Sequence, residues 1–326
     1  MLYKKQIKMD ESDKYIVKRQ IGKGAFSRVF ITLNKKDGKN YALKRLLKRS
    51  YFENEIELLT KMSGKCHNVC SMIECIEYAK ETCIIFPLYK SNLYEYRNSV
   101  DSLSNITIFN YIVDIMMGLK FIKDNGIIHG DLKPENLMIT DDNDIVIIDF
   151  GNSNYEGSMN NHELYYFQSR YYRSPNIILG KQITYDIDMW SLGCIIYEMI
   201  TNNVLFQGWK SITYRTSNNQ LLLYINYLGI PDTSYFEDCK QKDLYFIKNE
   251  DTLLYELLEP NIIYTLKQKT YTGFPEGTID KLENEIFQIL IDRIIKYDDI
   301  ITIEEAIDYM NKNKIITNKR SYSQIV

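Results

Sequence analysis

Two apolar runs in this chain end abruptly in polar motifs, and their order constrains the fold more than any other feature. Ile127-Ile128 leads into His129-Gly130-Asp131-Leu132-Lys133-Pro134-Glu135-Asn136, and Ile145-Val146-Ile147-Ile148 leads into Asp149-Phe150-Gly151. Short apolar runs of this kind read as buried strands. Charged residues directly after them mark strand ends where a ligand can sit. Upstream, Tyr41-Ala42-Leu43-Lys44 closes an apolar stretch on a lysine. Such a charge is costly unless it has a partner, and the following segment offers Glu55. Earlier still comes Ile21-Gly22-Lys23-Gly24-Ala25-Phe26-Ser27-Arg28-Val29. Its glycines let backbone N–H groups approach phosphate oxygens without side-chain clash. A Gly-rich turn or a strand-end lysine is a weak signal alone, whereas the ordered set is specific.

Periodicity places these motifs on a strand-rich first part and a helical second part. Tyr15 to Leu33 reads as strands around the Gly-rich turn, and Asn40 to Leu47 as another strand after the turn Lys36-Asp37-Gly38-Lys39. Phe52, Ile56, Leu59 and Met62 recur at helical spacing, which predicts a helix over Ser50 to Met62. Strands are expected near Ser71 to Glu77 and Thr82 to Leu88. Helices are expected over Ile106 to Asn125, ending at Gly126, within Ile183 to Ile200, and over Leu221 to Leu228 and Leu282 to Tyr297. Gly229 to Lys281 has weak periodicity, and Asn311 to Val326 reads as a polar tail. The fold class expected is α+β.

Composition narrows the partners. With 326 residues and a formal net charge of -3, the chain has no basic excess that would argue for nucleic acid. Met1 to Lys14 is polar, without the apolar centre of a signal peptide, and no run looks like a membrane span. Six scattered cysteines read as reduced thiols in an intracellular protein, cytoplasmic or nuclear. Cys66 and Cys70 flank His67, but no second ligand pair follows, so no metal site is expected there.

The spacing of the two motifs supplies a set of chemical roles. Asp131 can orient an attacking hydroxyl and accept its proton. Lys133 can neutralise a moving phosphoryl group. Asn136 and Asp149 can hold Mg²⁺ through oxygen ligands. Phosphoryl transfer needs little beyond positioning and charge neutralisation.

From Tyr15 to about Asn311 the chain resembles the protein kinase fold. Asp131-Leu132-Lys133-Pro134-Glu135-Asn136 is worded as in Ser/Thr kinases. Tyr165-Tyr166-Phe167-Gln168-Ser169-Arg170-Tyr171-Tyr172-Arg173-Ser174-Pro175 is similar to the activation segment of the dual-specificity Tyr-regulated and homeodomain-interacting kinases of the CMGC group. Asp188-Met189-Trp190-Ser191-Leu192-Gly193-Cys194, Asn92-Leu93-Tyr94 and the small Gly130 are similar to those families too. The resemblance implies a kinase domain over 15–311, with an N-lobe over 15–88, a hinge over 86–92 and a C-lobe over 93–311. A CMGC insert would fall at about 229–281, with tails over 1–14 and 312–326.

The same resemblance implies residue roles and partners. Ile21 to Val29 would cover the ATP phosphates, and Lys44, held by Glu55, would bind them. Ala42, Phe86, Pro87, Tyr89, Met138 and Ile148 would surround the adenine, with Phe86 as gatekeeper and the backbones of Pro87 and Tyr89 on its edge. Asp188 would anchor the catalytic loop. Tyr166 would be an autophosphorylation site clamped by Arg170 and Arg173. The expected activity is transfer of the γ-phosphate of Mg·ATP to Ser/Thr hydroxyls of protein substrates, with a preference for Pro after the acceptor. A monomer that binds neither nucleic acid nor membrane is expected.

Three departures stand out. Ser27 replaces the third glycine of the Gly-rich loop. Asn176 replaces the acid of the motif after Pro175, and the arginine expected after Tyr297-Asp298 is also missing, which reads as coupled loss of one buried ion pair. Arg293 lies nearby in sequence as a stand-in. The alternatives are a pseudokinase acting as a nucleotide- or partner-binding scaffold and a small-molecule kinase. Retention of Lys44, Glu55, Asp131, Asn136 and Asp149 argues against the first, and the Tyr166 to Pro175 segment against the second.

Overall fold

A computed structural model describes residues 14–24, 27–47, 53–158, 167–208, 216–258 and 281–313. Ala25, Phe26, Phe52, Tyr166 and much of the 229–281 stretch lie outside the described residues. The chain divides into two units, one comprising residues 1–95 and 134–154, the other 96–133 and 155–326.

The first unit is built on an antiparallel five-stranded sheet. Its strands are β1 (Tyr15–Lys23), β2 (Ser27–Asn34), β3 (Asn40–Leu46), β4 (Glu74–Tyr78) and β5 (Glu81–Pro87), in the order β1-β2-β3-β5-β4. Helix α1 (Glu53–Met62) follows β3. The β2–β3 turn forms where Asp37-Gly38 predicted it. Asp37 accepts from the backbone of Lys39, and Gly38 takes the left-handed φ of +69° that a side chain disfavours. One sheet face carries an apolar cluster of Tyr15, Leu43, Ile76, Cys83 and Ile85. The β4 ladder begins three residues later than Ser71. The hydroxyl of Ser71 accepts from the Gly64 amide, and Ser63 accepts from the Met72 amide, so this backbone is held as a loop. The chain continues through β6 (Ser91–Asn92) and α2 (Leu93–Asn98).

In the second unit, α3 (Asn105–Asp124) is capped by Ser104, whose side chain accepts from Thr107 N. Gly126, at φ +73°, follows its end as expected. By length and composition α3 could cross a membrane, contrary to the sequence reading, but two-thirds of its apolar window is buried in the protein. It is a core helix. β7 (Ile127–Ile128) leads into the first polar motif, and β8 (Leu137–Ile139) and β9 (Ile145–Ile147), which belong to the first unit, frame the second in a small sheet with β6.

After β10 (Asn154–Tyr155) come α4 (Pro175–Leu179), α5 (Asp186–Thr201) and α6 (Thr216–Leu228). Helix α6 starts before Leu221 because its first residues are polar and hide the period. Strands β11 (Phe246–Lys248) and β12 (Tyr255–Leu257) form a hairpin within the stretch that had no assignable pattern. Helix α7 (Lys281–Ile294) precedes α8 (Ile303–Lys312), which the sequence reading missed. Thr302 and Glu305 form a reciprocal capping box at its start, and Ile303, Ala306 and Met310 bury one stripe. The architecture is the α+β one expected: an antiparallel-sheet unit and a mainly helical unit.

Candidate active site

Strand register gathers the predicted nucleotide residues of the first unit on one sheet face. Across β2, β3 and β5, Val29 pairs with Lys44 and Lys44 with Ile84, while Ile31 pairs with Ala42 and Ala42 with Phe86. Directly opposed residues of antiparallel strands point to the same side. Val29, Ile31, Ala42, Lys44, Ile84 and Phe86 therefore share the face opposite the Leu43 and Ile85 cluster. Gly22 pairs with Val29, and a Cβ on Gly22 would come within 3.2 Å of the Val29 Cβ. Gly24 donates its N–H to Ser27 O at 3.0 Å, and Arg28 Nη1 donates to both Gly24 O and Ser27 O. The Ser27 hydroxyl lies 3.2 Å from where a Gly24 Cβ would stand, so the departure at 27 reinforces the need for glycine at 24. Ile21 and Lys23 are exposed at this end of β1.

Lys44 is the charged centre of that face. Its Nζ donates to Glu55 Oε1 at 2.6 Å and to Asp149 Oδ1 at 2.8 Å. Burial opposes the ammonium charge, but the Asp149 and Glu55 carboxylates outweigh it and raise the Lys44 pKa. Burial also pushes the Glu55 carboxyl up, against the pull of Lys44. Asp149 takes a left-handed φ of +66°, a backbone state that costs a non-glycine residue about 1–3 kcal/mol and persists only where the surroundings enforce it. Its side chain remains 44% exposed. A Cβ on Gly151 would stand 3.3 Å from Asp149 Oδ1, which explains the glycine two positions on. Asn136 is buried, and its carbonyl accepts from Ile148 N.

Asn136 and Asp149 offer oxygen donors only, which suits a hard cation. Among the described residues no group of three or more His, Cys, Asp or Glu could hold a metal ion. Mg²⁺ keeps waters and substrate oxygens in its shell rather than filling a protein cage. Met138 and Ile148 are half-buried, as are Pro87 and Tyr89 after the end of β5's core, and burial pushes the Tyr89 phenol up.

The second unit holds the catalytic-loop candidates. Asp188, in the first turn of α5, accepts from the backbone N–H of His129 at 2.7 Å and of Gly130 at 2.9 Å. Burial raises its pKa against these stabilising contacts. Asp131 Oδ2 takes the Lys133 ammonium at 2.6 Å. Asp131 Oδ1 accepts from the backbone and the hydroxyl of Ser169, at 3.0 and 2.7 Å, and Lys133 also donates to the Ser169 hydroxyl. Sequence reasoning assigned Ser169 no role. Gln168 was missed as well: its buried amide donates to Ile187 O and Ser191 Oγ and accepts from Ser174 N. These bonds fasten the 168–174 segment to α5.

Arg173 has a use of its own. Its Nε and Nη2 donate to the carbonyls of Phe167 and Gln168. Arg170 is half-buried, and the expected clamp on Tyr166 falls outside the described residues. At the position of the missing ion pair, the buried Tyr235 hydroxyl donates to Asn176 Oδ1 at 2.6 Å. A neutral hydrogen bond thus stands where an acid–arginine pair was expected. Arg293 does not substitute: it is exposed and lies over the Tyr309 ring.

Residues 15–300 match the protein kinase domain family. Over 246 residues the chain is 34% identical to dual specificity tyrosine-phosphorylation-regulated kinase 2 of Drosophila melanogaster, which covers 72% of this chain and 33% of that protein. It is 32% identical over 253 residues to homeodomain-interacting protein kinase 1 of Caenorhabditis elegans, covering 73% of this chain and 29% of the relative. With dual specificity tyrosine-phosphorylation-regulated kinase 4 of Homo sapiens it shares 32% over 246 residues, 72% of this chain and 45% of the relative. The chain spans less than half the length of each.

Proposed function

Because the chain belongs to the protein kinase domain family, we propose that it transfers the γ-phosphate of ATP to Ser and Thr hydroxyls of protein substrates. The observation that carries the reading is the Asp131, Lys133 and Ser169 triad, a carboxylate oriented by an ammonium and a hydroxyl. In the proposed step the substrate oxygen attacks the γ-phosphorus and the bond to the bridging oxygen of ADP breaks. The hydroxyl proton passes to Asp131. Lys133 balances charge on the transferring group. Lys44, steadied by Glu55, binds the α- and β-phosphates, and the glycines of the 21–29 loop let its backbone cover them. Ala42, Phe86 and Met138 enclose the base, and the Pro87 carbonyl and Tyr89 N–H meet its edge. Asn136 and Asp149 would hold Mg²⁺, which neutralises phosphate charge when bound.

The intact Lys44–Glu55 pair and the oriented Asp131 favour catalysis over a nucleotide-binding scaffold. The finer readings are that Tyr166 is autophosphorylated, with Arg170 and Arg173 as the cations that hold its phosphate, and that substrates carry Pro after the acceptor. An intracellular setting is part of the proposal and is supported by six free cysteines.

The test is ADP release from Mg·ATP with myelin basic protein, wild type beside Asp131→Asn. Activity abolished by the substitution supports the reading. Equal rates in both proteins would overturn it. Tryptic mass spectrometry of active enzyme, beside an Asp149→Asn control, checks Tyr166, and its absence as phosphotyrosine ends that reading. Paired Ser-Pro and Ser-Ala peptides check the Pro preference, which equal turnover would defeat.

A further inference from the structure

The two segments that meet at Asp131 are anchored on the same stretch of α5. On one side Asp188 holds the backbone of His129 and Gly130. On the other, Gln168 Nε2 donates to Ile187 O and to Ser191 Oγ, each at 2.8 Å, and Gln168 Oε1 accepts from Ser174 N at 2.9 Å. Ile187 and Ser191 lie one helical turn apart, with Asp188 between them. Gln168 is 2% exposed, and both faces of its amide, donor and acceptor, are engaged.

A buried glutamine with its bonds made is ordinarily a packing staple and nothing more. The backbone sets this one apart. Gln168 has a φ of +59°, a left-handed state that residues other than Gly, Asn and Asp rarely adopt. The state has a use here. In an extended chain successive N–H groups face opposite ways. The Gln168 N–H donates to Gly130 O at 3.1 Å, and the next N–H, that of Ser169, donates to Asp131 Oδ1 at 3.0 Å. Two successive amides reach one loop because the backbone turns at 168. The same turn brings the Ser169 hydroxyl to 2.7 Å from Asp131 Oδ1.

A strained backbone state persists only where its surroundings enforce it, and such states gather at functional sites. The side chain at 168 does not favour the turn by itself, so the enforcement comes from what that side chain binds. Its buried amide grips α5 and the amide of Ser174, and a buried polar network with every member satisfied rigidifies what it joins. Arg173 takes the Gln168 carbonyl from within the same segment, so it shapes the turn without tying it to α5. The Gln168 amide thus sets the register between Ser169 and the loop that Asp188 holds.

Resting on the kinase reading above, we infer that Gln168 is a positioning residue for Asp131, acting through Ser169. The test measures kcat and KM for ATP with myelin basic protein, on the full chain. The variants are Gln168→Asn and Gln168→Gly, each with and without Ser169→Ala. Asn and Gly accept a φ of +59° more readily than Gln, so both variants should fold, which a melting curve checks. Gln168→Met, which keeps the volume, replaces either one that fails to melt cooperatively. Asn is a methylene too short to make the same bonds, and Gly makes none. With the amide gone, kcat should fall about tenfold or more while KM for ATP hardly changes. On the Ser169→Ala background the same substitutions should cost less than about threefold, because the hydroxyl they place is already missing. A purely structural role would give the same factor on both backgrounds. Wild-type kcat in Gln168→Gly, or equal factors with and without Ser169, would overturn the inference. A wild type without turnover would defeat the kinase reading and this inference with it, so the two failures are told apart.

Discussion

The ring of Phe167 occupies the space that a side chain at Gly130 would need. A Cβ built on Gly130 falls 2.1 Å from Phe167 Cζ, and Gly130 also has a left-handed φ of +73°. The small residue before Asp131 is therefore required by packing, and Phe167 in turn belongs to a buried cluster with Ile128, Ile177, Ile183 and Ile187. Gly130→Ala combines overpacking with backbone strain and should cost about 2–4 kcal/mol. Thermal unfolding checks this. A melting temperature equal to that of the wild type would contradict it, and adding Phe167→Ala should relieve part of the loss caused by Gly130→Ala.

Tyr235 and Asn176 make the neutral bond that stands at the place of the expected ion pair. Tyr235→Phe strands Asn176 Oδ1 in a buried site and should destabilise by about 1–3 kcal/mol. Asn176→Glu buries a carboxylate with no guanidinium to receive it, so it should lower the melting temperature rather than restore anything. Stabilisation by Asn176→Glu would refute the account.

Lys44→Met removes the cation between Glu55 and Asp149. Breaking a buried pair on one side costs about 3–5 kcal/mol. The loss should depend on pH. Glu55, whose carboxyl is already pushed above its ordinary 4.5 by burial, can take up a proton once Lys44 is gone. A raised carboxyl pKa means that stability falls as pH rises above the ordinary value, so denaturant unfolding should show a larger deficit at about pH 8 than at about pH 5. A deficit that shrank with rising pH would show the wrong sign.

Ser169→Ala removes one donor from Asp131 and the acceptor that Lys133 uses. The backbone N–H of Ser169 remains, so the fold should hold. Turnover should fall about tenfold with little change in KM for ATP, and Ser169→Thr should recover most of it. An alanine variant with wild-type turnover would remove Ser169 from the positioning of Asp131.

Helix α8 is tied to α3 by Lys123 and Glu304, 2.7 Å apart. Burial pushes the Glu304 carboxyl up, but the Lys123 hydrogen bond, the Glu304 backbone N–H and the charges of Lys123 and Lys120 together outweigh it, and the net pKa lies below the ordinary 4.5. Its contribution is thus present above that value and fades as pH falls through the lowered one. The pair is largely exposed, so Glu304→Gln should cost less than about 1 kcal/mol at neutral pH, and nothing in acid or high salt. An unchanged cost in acid would rule out the pair as its source.

What the sequence by itself determined was whatever one short segment encodes. The Asp37-Gly38 turn, the end of α3 at Gly126, and the apolar strands that run into Asp131 and Asp149 are local, and each was readable from neighbouring residues. The capping box Thr302 to Glu305 was equally local and legible, yet α8 was passed over because its apolar stripe is only a few residues long. Tertiary structure decided the rest. Ser169 reaches Asp131 across 38 positions, and Tyr235 reaches Asn176 across 59. Periodicity reports which face of one element is apolar, not which distant element will supply a donor to it. Gly130 was legible as a small residue, but the reason for it, the Phe167 ring, exists only once β7 and the segment before α4 have packed together.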